Sequence, residues 1–284
     1  MSEKITLTRR QVLKGAGAAT LTGAASLVPA SKAVAARAKA PRWAFIVDLR
    51  RCIGCRACTV ACKAEFDVPL GAFRAAVYEE VTGTFPNSEK HFLPKLCNHC
   101  EGNKEDKVPP CVKECPEYPK DRREFVAPDG KKIRYRGGAT YKRPDGLILF
   151  DNDLCTGCGK CIEACPYGAR NWDKSLLSGK DKTKNGIHKC DFCDHRVSKG
   201  VTPSCVNICP GRARIFGDLN DPASQISKLN KAFGLVEKRD KTTLRPGENT
   251  SPVCFYIDPK GVLAKTTVAK KKYEKNDAIQ DRIT

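Results

Sequence analysis

Sixteen of the seventeen cysteines in this 284-residue chain fall into four groups of four, and no other feature restricts the fold as strongly. The first group is Cys52, Cys55, Cys58 and Cys62, and the third is Cys155, Cys158, Cys161 and Cys165. Both read C-x2-C-x2-C-x3-C. The second group (Cys97, Cys100, Cys111, Cys115) and the fourth (Cys190, Cys193, Cys205, Cys209) keep the opening and the ending. Their middle gaps are stretched to ten and eleven residues. A proline follows the last cysteine in three groups, as Pro116, Pro166 and Pro210, whereas Lys63 stands there in the first.

Two-residue gaps let a tight loop wrap three thiolates around three corners of a cube. The fourth cysteine lies about one helical turn past the third, so it points away from its own loop towards a neighbouring centre. The proline after it disfavours the helical conformation just before it and discourages the helix from running on. This is the spacing of two-cluster [4Fe–4S] ferredoxins. Disulfides account for it poorly, because cysteines so close in sequence are bad bridge partners. Structural zinc uses paired C-x2-C or mixed Cys/His sets, while each group here already holds four thiolates. His99 and His195 beside cysteine pairs are read as hydrogen-bonding neighbours, Trp43 and Trp172 as core residues, and Cys254 as an inert strand cysteine.

The first 35 residues read as a targeting segment. Arg9-Arg10 precedes the weakly apolar stretch from Gly15 to Val28, and small-residue cleavage options follow at 31–33 and 33–35. This resembles a twin-arginine export signal, which implies a protein that folds with its cofactor before crossing the membrane. The body contains no apolar run near 18 residues, so a spanning helix is not expected there. The formal charge of +19 counts every thiol as neutral. Four oxidised clusters at about −2 each bring it to about +11, and loss of the signal to about +7. The basic balance thus partly offsets the clusters, and nucleic-acid binding is not inferred. Lys270-Lys271-Lys272 is read as a solvated end.

An internal repeat organises the rest. Trp43–Asp48 runs into Cys52 as Leu147–Asp151 runs into Cys155, each a short apolar strand ending in an aspartate four residues before the cysteine. Cys111–Pro116 matches Cys205–Pro210 in the same way. Short strands and helices joined by long loops fit an α+β class of two ferredoxin-like 2[4Fe–4S] units. One unit is expected from residues 42–96 with 167–257, the other from 97–166, and 258–284 form a basic tail. Glu117–Gly138 and Gly102–Lys107 read as surface insertions.

The motif order, the export signal and the phrase Gly211–Asp218 resemble the iron–sulfur (beta) subunits of respiratory molybdoenzymes, over about residues 42–257. Partners of dimethyl sulfoxide, polysulfide, tetrathionate and arsenate reductases belong to this group, as do related proteins of membrane complexes. The resemblance implies pairing across the halves. Cys52, Cys55 and Cys58 would take Cys209 as fourth ligand, and Cys190, Cys193 and Cys205 would take Cys62. Cys97, Cys100 and Cys111 would take Cys165, and Cys155, Cys158 and Cys161 would take Cys115. The longer gap in the second motif and the Glu117–Gly138 insertion depart from the commoner pattern. The phrase Thr250–Tyr256 inclines the resemblance towards the tetrathionate/polysulfide group.

No Walker-type phosphate loop, G-x-S-x-G elbow or G-x-G-x-x-G after a strand occurs, so the chain is expected not to be catalytic alone. The expected function is single-electron relay through four [4Fe–4S] clusters on the periplasmic face of the cytoplasmic membrane. The expected partners are an integral-membrane quinone-interacting subunit and a molybdopterin catalytic subunit. Two alternatives are a component of a sulfite-reduction- or hydrogenase-linked complex with a multihaem cytochrome, and a free-standing periplasmic ferredoxin. Ligation and folding are coupled in such chains. Chelated, iron-free protein is therefore expected to lose its native circular dichroism, and a native spectrum after chelation would contradict the reading.

Overall fold

A computed structural model describes residues 40–270; the proposed export signal and Lys271-Lys272 lie outside the described residues. The buried run Ala44-Phe45-Ile46-Val47 forms the middle of β1 (Trp43–Asp48). A strand covered on both faces reads as a continuous apolar run rather than an alternation, as this one does. The chain then passes through α1 (Ala57–Phe66), β2 (Ala75–Thr82), β3 (Glu89–Leu96), α2 (Pro110–Lys113), β4 (Asp121–Val126) and β5 (Lys132–Gly137). It continues through β6 (Thr140–Lys142), β7 (Ile148–Phe150), α3 (Lys160–Glu163), β8 (Arg170–Leu177), β9 (Asn185–Lys189), α4 (Asp194–Val197) and α5 (Ser204–Asn207). The last part holds β10 (Arg214–Asp218), α6 (Gln225–Phe233), α7 (Arg239–Thr242), β11 (Cys254–Ile257), α8 (Val262–Lys265) and α9 (Thr267–Lys270).

β1 is the centre of a three-stranded sheet, antiparallel to β10 and parallel to β11. Phe45 faces Phe216 across one ladder and Cys254 across the other. Phe45, Phe192 and Phe216 form an aromatic cluster with centroids 5.5–6.2 Å apart. Four antiparallel two-stranded ribbons, β2–β3, β4–β5, β6–β7 and β8–β9, surround this sheet. None of the described helices is long and apolar enough to cross a membrane.

The cysteine-bearing helices follow the proline pattern. α2, α3 and α5 are single turns that end two residues before Cys115, Cys165 and Cys209, each of which precedes a proline. α1, whose last cysteine is followed by Lys63, instead runs four residues past Cys62 to Phe66. The hydrophobic core divides in two. A larger cluster gathers around β1 and includes Cys97, Leu147, Leu149 and Cys165; a smaller one holds Cys115, Ala139, Cys155, Cys161 and Ile187.

The Glu117–Gly138 segment is an ordered hairpin, with β4 and β5 paired from Asp121↔Gly137 to Val126↔Lys132. Arg123 anchors it by stacking 3.9 Å over Tyr141 and bonding Asp151 at 2.6 Å. Lys104–Lys107 form an exposed turn, and Lys270 is exposed.

Candidate iron–sulfur site

All seventeen cysteines are free thiols. Each group opens on a turn whose second spacer residue has a positive φ: Gly54, His99, Gly157 and Phe192. In the third group, Gly157 and Gly159 flank Cys158 at φ of +63° and +76°, a region that favours glycine. A Cβ on Gly157 would lie 2.6 Å from Lys184 Cβ, and one on Gly159 would lie 2.7 Å from the Trp172 ring. The loop is thus pressed between a lysine stem and an indole while Cys158 itself stays exposed.

The thiols form four neighbourhoods that mix the sequence groups. Cys52 is held up by burial, with Cys58 and Cys209 adding to the rise. Burial pushes Cys62 up to about 12, and Cys205 and Cys193 press in the same direction. Cys100 rises through burial and then through Cys97, Cys111 and Cys165. Cys155 rises through burial, with Cys158 and Cys115 contributing. Thiols of different neighbourhoods also push one another up through space, after the larger effect of burial: Cys58 acts on Cys205, Cys97 on Cys190, and Cys111 on Cys161. Most of these thiols are buried, whereas Cys55 and Cys158 are exposed. Among the described residues, no three His, Cys, Asp or Glu side chains converge closely enough for a single metal ion.

Whether such centres fit is decided by the buried cations. Arg170, Lys189 and Arg214 are each 2% exposed. Among the described residues none of them has a carboxylate partner, and burying an unpaired charge is strongly unfavourable. Their surroundings are thiols and carbonyls. Arg170 Nη2 donates to Cys111 Sγ at 3.3 Å and Nη1 to Thr140 Oγ1 at 3.1 Å. Lys189 Nζ donates to the carbonyls of Ile148 and Cys190. Arg214 Nη1 lies 4.0 Å from Cys205 Sγ, while its Nε and Nη2 have no partner among the described residues. Lys189 and Arg170 even face each other across the β8–β9 ladder, where like charges destabilise a sheet. Anionic thiolate clusters supply the missing negative charge, so the residues present fit [4Fe–4S] centres. The Arg170 and Arg214 guanidiniums are driven further from deprotonation by the surrounding thiols, against the opposing effect of burial.

Backbone N–H groups complete the thiol environment. Gly157 donates to Cys155 Sγ at 3.3 Å, Ala169 to Cys165 Sγ at 3.4 Å and Ala213 to Cys209 Sγ at 3.2 Å. His99 ties two motifs together. Its Nδ1 accepts from Ile148 N–H at 3.0 Å, so Nε2 carries the proton and donates to the Cys190 carbonyl at 3.0 Å. The ring stacks on Phe192 with centroids 3.6 Å apart. His195 bonds Glu65 at 2.7 Å near the surface. Trp43 donates to Asp145 at 3.2 Å and stacks on Phe216. Cys254 is fully buried in β11, with its thiol pushed up to about 12 chiefly by burial. The Thr250–Tyr256 segment runs along the second motif, with Glu101 and Gly102 N–H donating to the Ser251 and Thr250 carbonyls.

Comparison with known proteins agrees with this geometry. Residues 88–219 match the model of a 4Fe–4S dicluster domain and residues 43–64 that of a 4Fe–4S binding domain. The chain is 38% identical over 264 residues to a subunit of tetrathionate reductase from Salmonella typhimurium, covering 88% of this chain and 87% of that one. It is 33% identical to the arsenate respiratory reductase iron–sulfur subunit of a Shewanella species, covering 78% and 98%. The chain belongs to the iron–sulfur subunit family of the respiratory reductases. It is 37% identical to a subunit of selenate reductase from Mesobacillus selenatarsenatis, over 76% and 72% of the two chains. Members of the family transfer electrons and are not the catalytic subunits, and their α+β fold is built from ferredoxin-like 4Fe–4S domains.

Reading the cysteines alone missed the buried cations, although a signal was present. Cys165-Pro166-Tyr167-Gly168-Ala169-Arg170 and Cys209-Pro210-Gly211-Arg212-Ala213-Arg214 share the pattern C-P-x-x-A-R. Lys189 carries no such mark beyond its place before Cys190. The two histidines grouped together in the sequence now separate. His99→Leu strands the buried Ile148 N–H and is expected to cost about 1–3 kcal/mol of holoprotein stability by denaturant titration. His195→Ala, at an exposed site, is expected to change it by less than about 0.5 kcal/mol. Equal effects would contradict the structural role assigned to His99.

Proposed function

We propose that this chain carries single electrons through four [4Fe–4S] clusters, as the periplasmic electron-transfer subunit of a membrane-associated respiratory oxidoreductase. One observation carries the reading: the thiol neighbourhoods adjoin one another in a row, and each end of the row reaches the surface at one exposed cysteine. The ligand sets this supports are Cys52, Cys55, Cys58 and Cys209; Cys62, Cys190, Cys193 and Cys205; Cys97, Cys100, Cys111 and Cys165; and Cys115, Cys155, Cys158 and Cys161. The electrostatic influence of each neighbourhood's thiols on the next supports the order in which these sets are written. A cluster bound in each set supplies a one-electron site that changes little on reduction.

The chain's own residues then do three things. The cysteine loops hold the centres in sequence, the apolar core excludes water from the two middle sets, and the buried cations compensate their charge. Each electron entering at one exposed end is matched by one leaving at the other, so two passages complete a two-electron reaction elsewhere. Large apolar side chains stand exposed around the Cys55 end: Ile53 between Cys52 and Cys55, Val60 on α1, and Ile208 beside Cys209. Exposed apolar residues gathered at one site mark an interface, which favours a subunit over a freely diffusing ferredoxin. The proposed partners are an integral-membrane quinone-interacting subunit, whose quinol would give up two electrons and two protons, and a molybdopterin catalytic subunit. The paired arginines Arg9-Arg10 support export by the twin-arginine route. The relatives named for tetrathionate and arsenate reductases support an oxyanion or sulfur compound as the terminal acceptor.

The test is metal analysis of the complex purified natively from membranes through this chain. About one molybdenum per complex is the expected result. Abundant iron with haem and no molybdenum would overturn the molybdopterin partner in favour of a multihaem cytochrome. Recovery of the chain only in the soluble fraction would overturn the membrane complex.

A further inference from the structure

Three buried cations lie where the thiol neighbourhoods meet. Arg214 Nη1 lies 4.0 Å from Cys205 Sγ of the second set and its charge also feels Cys58 of the first, while one guanidinium edge has no partner among the described residues. Lys189 Nζ and His99 Nε2 share the carbonyl of Cys190, and His99 lies in the Cys97–Cys100 loop. That places Lys189 where the second set meets the third. Arg170 Nη2 donates to Cys111 Sγ of the third set at 3.3 Å, and the charge also feels Cys161 of the fourth set. Each junction in the row therefore holds one carboxylate-free buried positive charge. Resting on the four-cluster reading, we infer that Arg214, Lys189 and Arg170 are junction charges that raise the reduction potentials of the two clusters on either side of each.

Reduction adds one negative charge to a centre, and a nearby cation stabilises that added charge most where the dielectric is low and water is excluded. Net charge and hydrogen bonds to sulfur are the main determinants of cluster potential. A cation between two centres acts on both and keeps neighbouring potentials from diverging. The two arginines occupy equivalent positions of the repeat, five residues after Cys165 and Cys209. In each copy the intervening alanine N–H, Ala169 or Ala213, donates to the preceding cysteine sulfur. The backbone thereby fixes each arginine relative to one ligand, and the side chain then reaches another sulfur: Cys205 of the adjoining set for Arg214, and Cys111 of its own set for Arg170. A guanidinium suits the place because its rigid fork offers several N–H donors and it does not deprotonate.

The experiment is an EPR-monitored redox titration of the full-length holoprotein, comparing wild type with Arg214→Gln, Arg214→Lys, Arg170→Gln and Arg170→Lys. Arg214→Gln is expected to move two midpoints to more negative values and leave the other two in place. Arg170→Gln is expected to move a different pair. The Lys variants keep the charge and should restore most of each shift. If a Gln variant loses iron, the matching Lys variant carries the test: its midpoints should stay near the wild-type values, and a pair of midpoints shifted despite the retained charge would overturn the conclusion. Unchanged midpoints, a uniform shift of all four, or Gln and Lys variants that behave alike would overturn it. A wild-type titration with fewer than four components would instead contradict the four-cluster reading, so the two failures are distinguishable.

Discussion

The structure depends on the balance between buried thiolate charge and buried cationic charge. Each oxidised cluster with four thiolates carries a charge of about −2. Excluding water from such centres is tolerable only if positive charge is excluded along with them. Arg170, Lys189 and Arg214 supply it from within the core, where the described residues offer them no carboxylate. Apo protein would keep the cations and the crowded thiols without the centres that reconcile them. Metal binding and folding are therefore expected to be one event in this chain.

Connectivity follows from a small number of local decisions. In three of the four motifs a one-turn helix stops two residues before the fourth cysteine, and the proline after that cysteine discourages the helix from running on. The motif without the proline keeps a longer helix, and Glu65 on it bonds both Arg196 and His195 of the fourth motif. Arg196 and His195 hold the Glu65 carboxyl down at about 2. The first and fourth motifs are thus joined by a surface ion pair as well as through their thiols. His99 does the equivalent work between the second and fourth motifs with neutral hydrogen bonds, as its complete burial requires.

Much of this was legible in the amino-acid sequence. The cysteine spacing marks the 4Fe–4S domains and the trailing prolines mark the helix stops, and the run Trp43–Asp48 is the strand that it reads as. Other features needed the third dimension. That β11 lies parallel to β1 depends on contacts across some two hundred residues, for which local pattern holds no information. The charged segment at 117–138 reads as a surface insertion, and its form as a hairpin with one face packed near Tyr141 shows only in the pairing of Asp121–Val126 with Lys132–Gly137. The repeated C-P-x-x-A-R was visible as a pattern. Its meaning was not, because an arginine is ordinarily read as exposed and only its burial beside sulfur shows what balances it.

The central claim is that one chain holds four four-iron centres. Iron and acid-labile sulfide, counted per chain on anaerobically purified, full-length protein, test it most directly. The account expects about sixteen of each, four per cluster. Values near eight would leave two of the four thiol neighbourhoods without a cluster and contradict it.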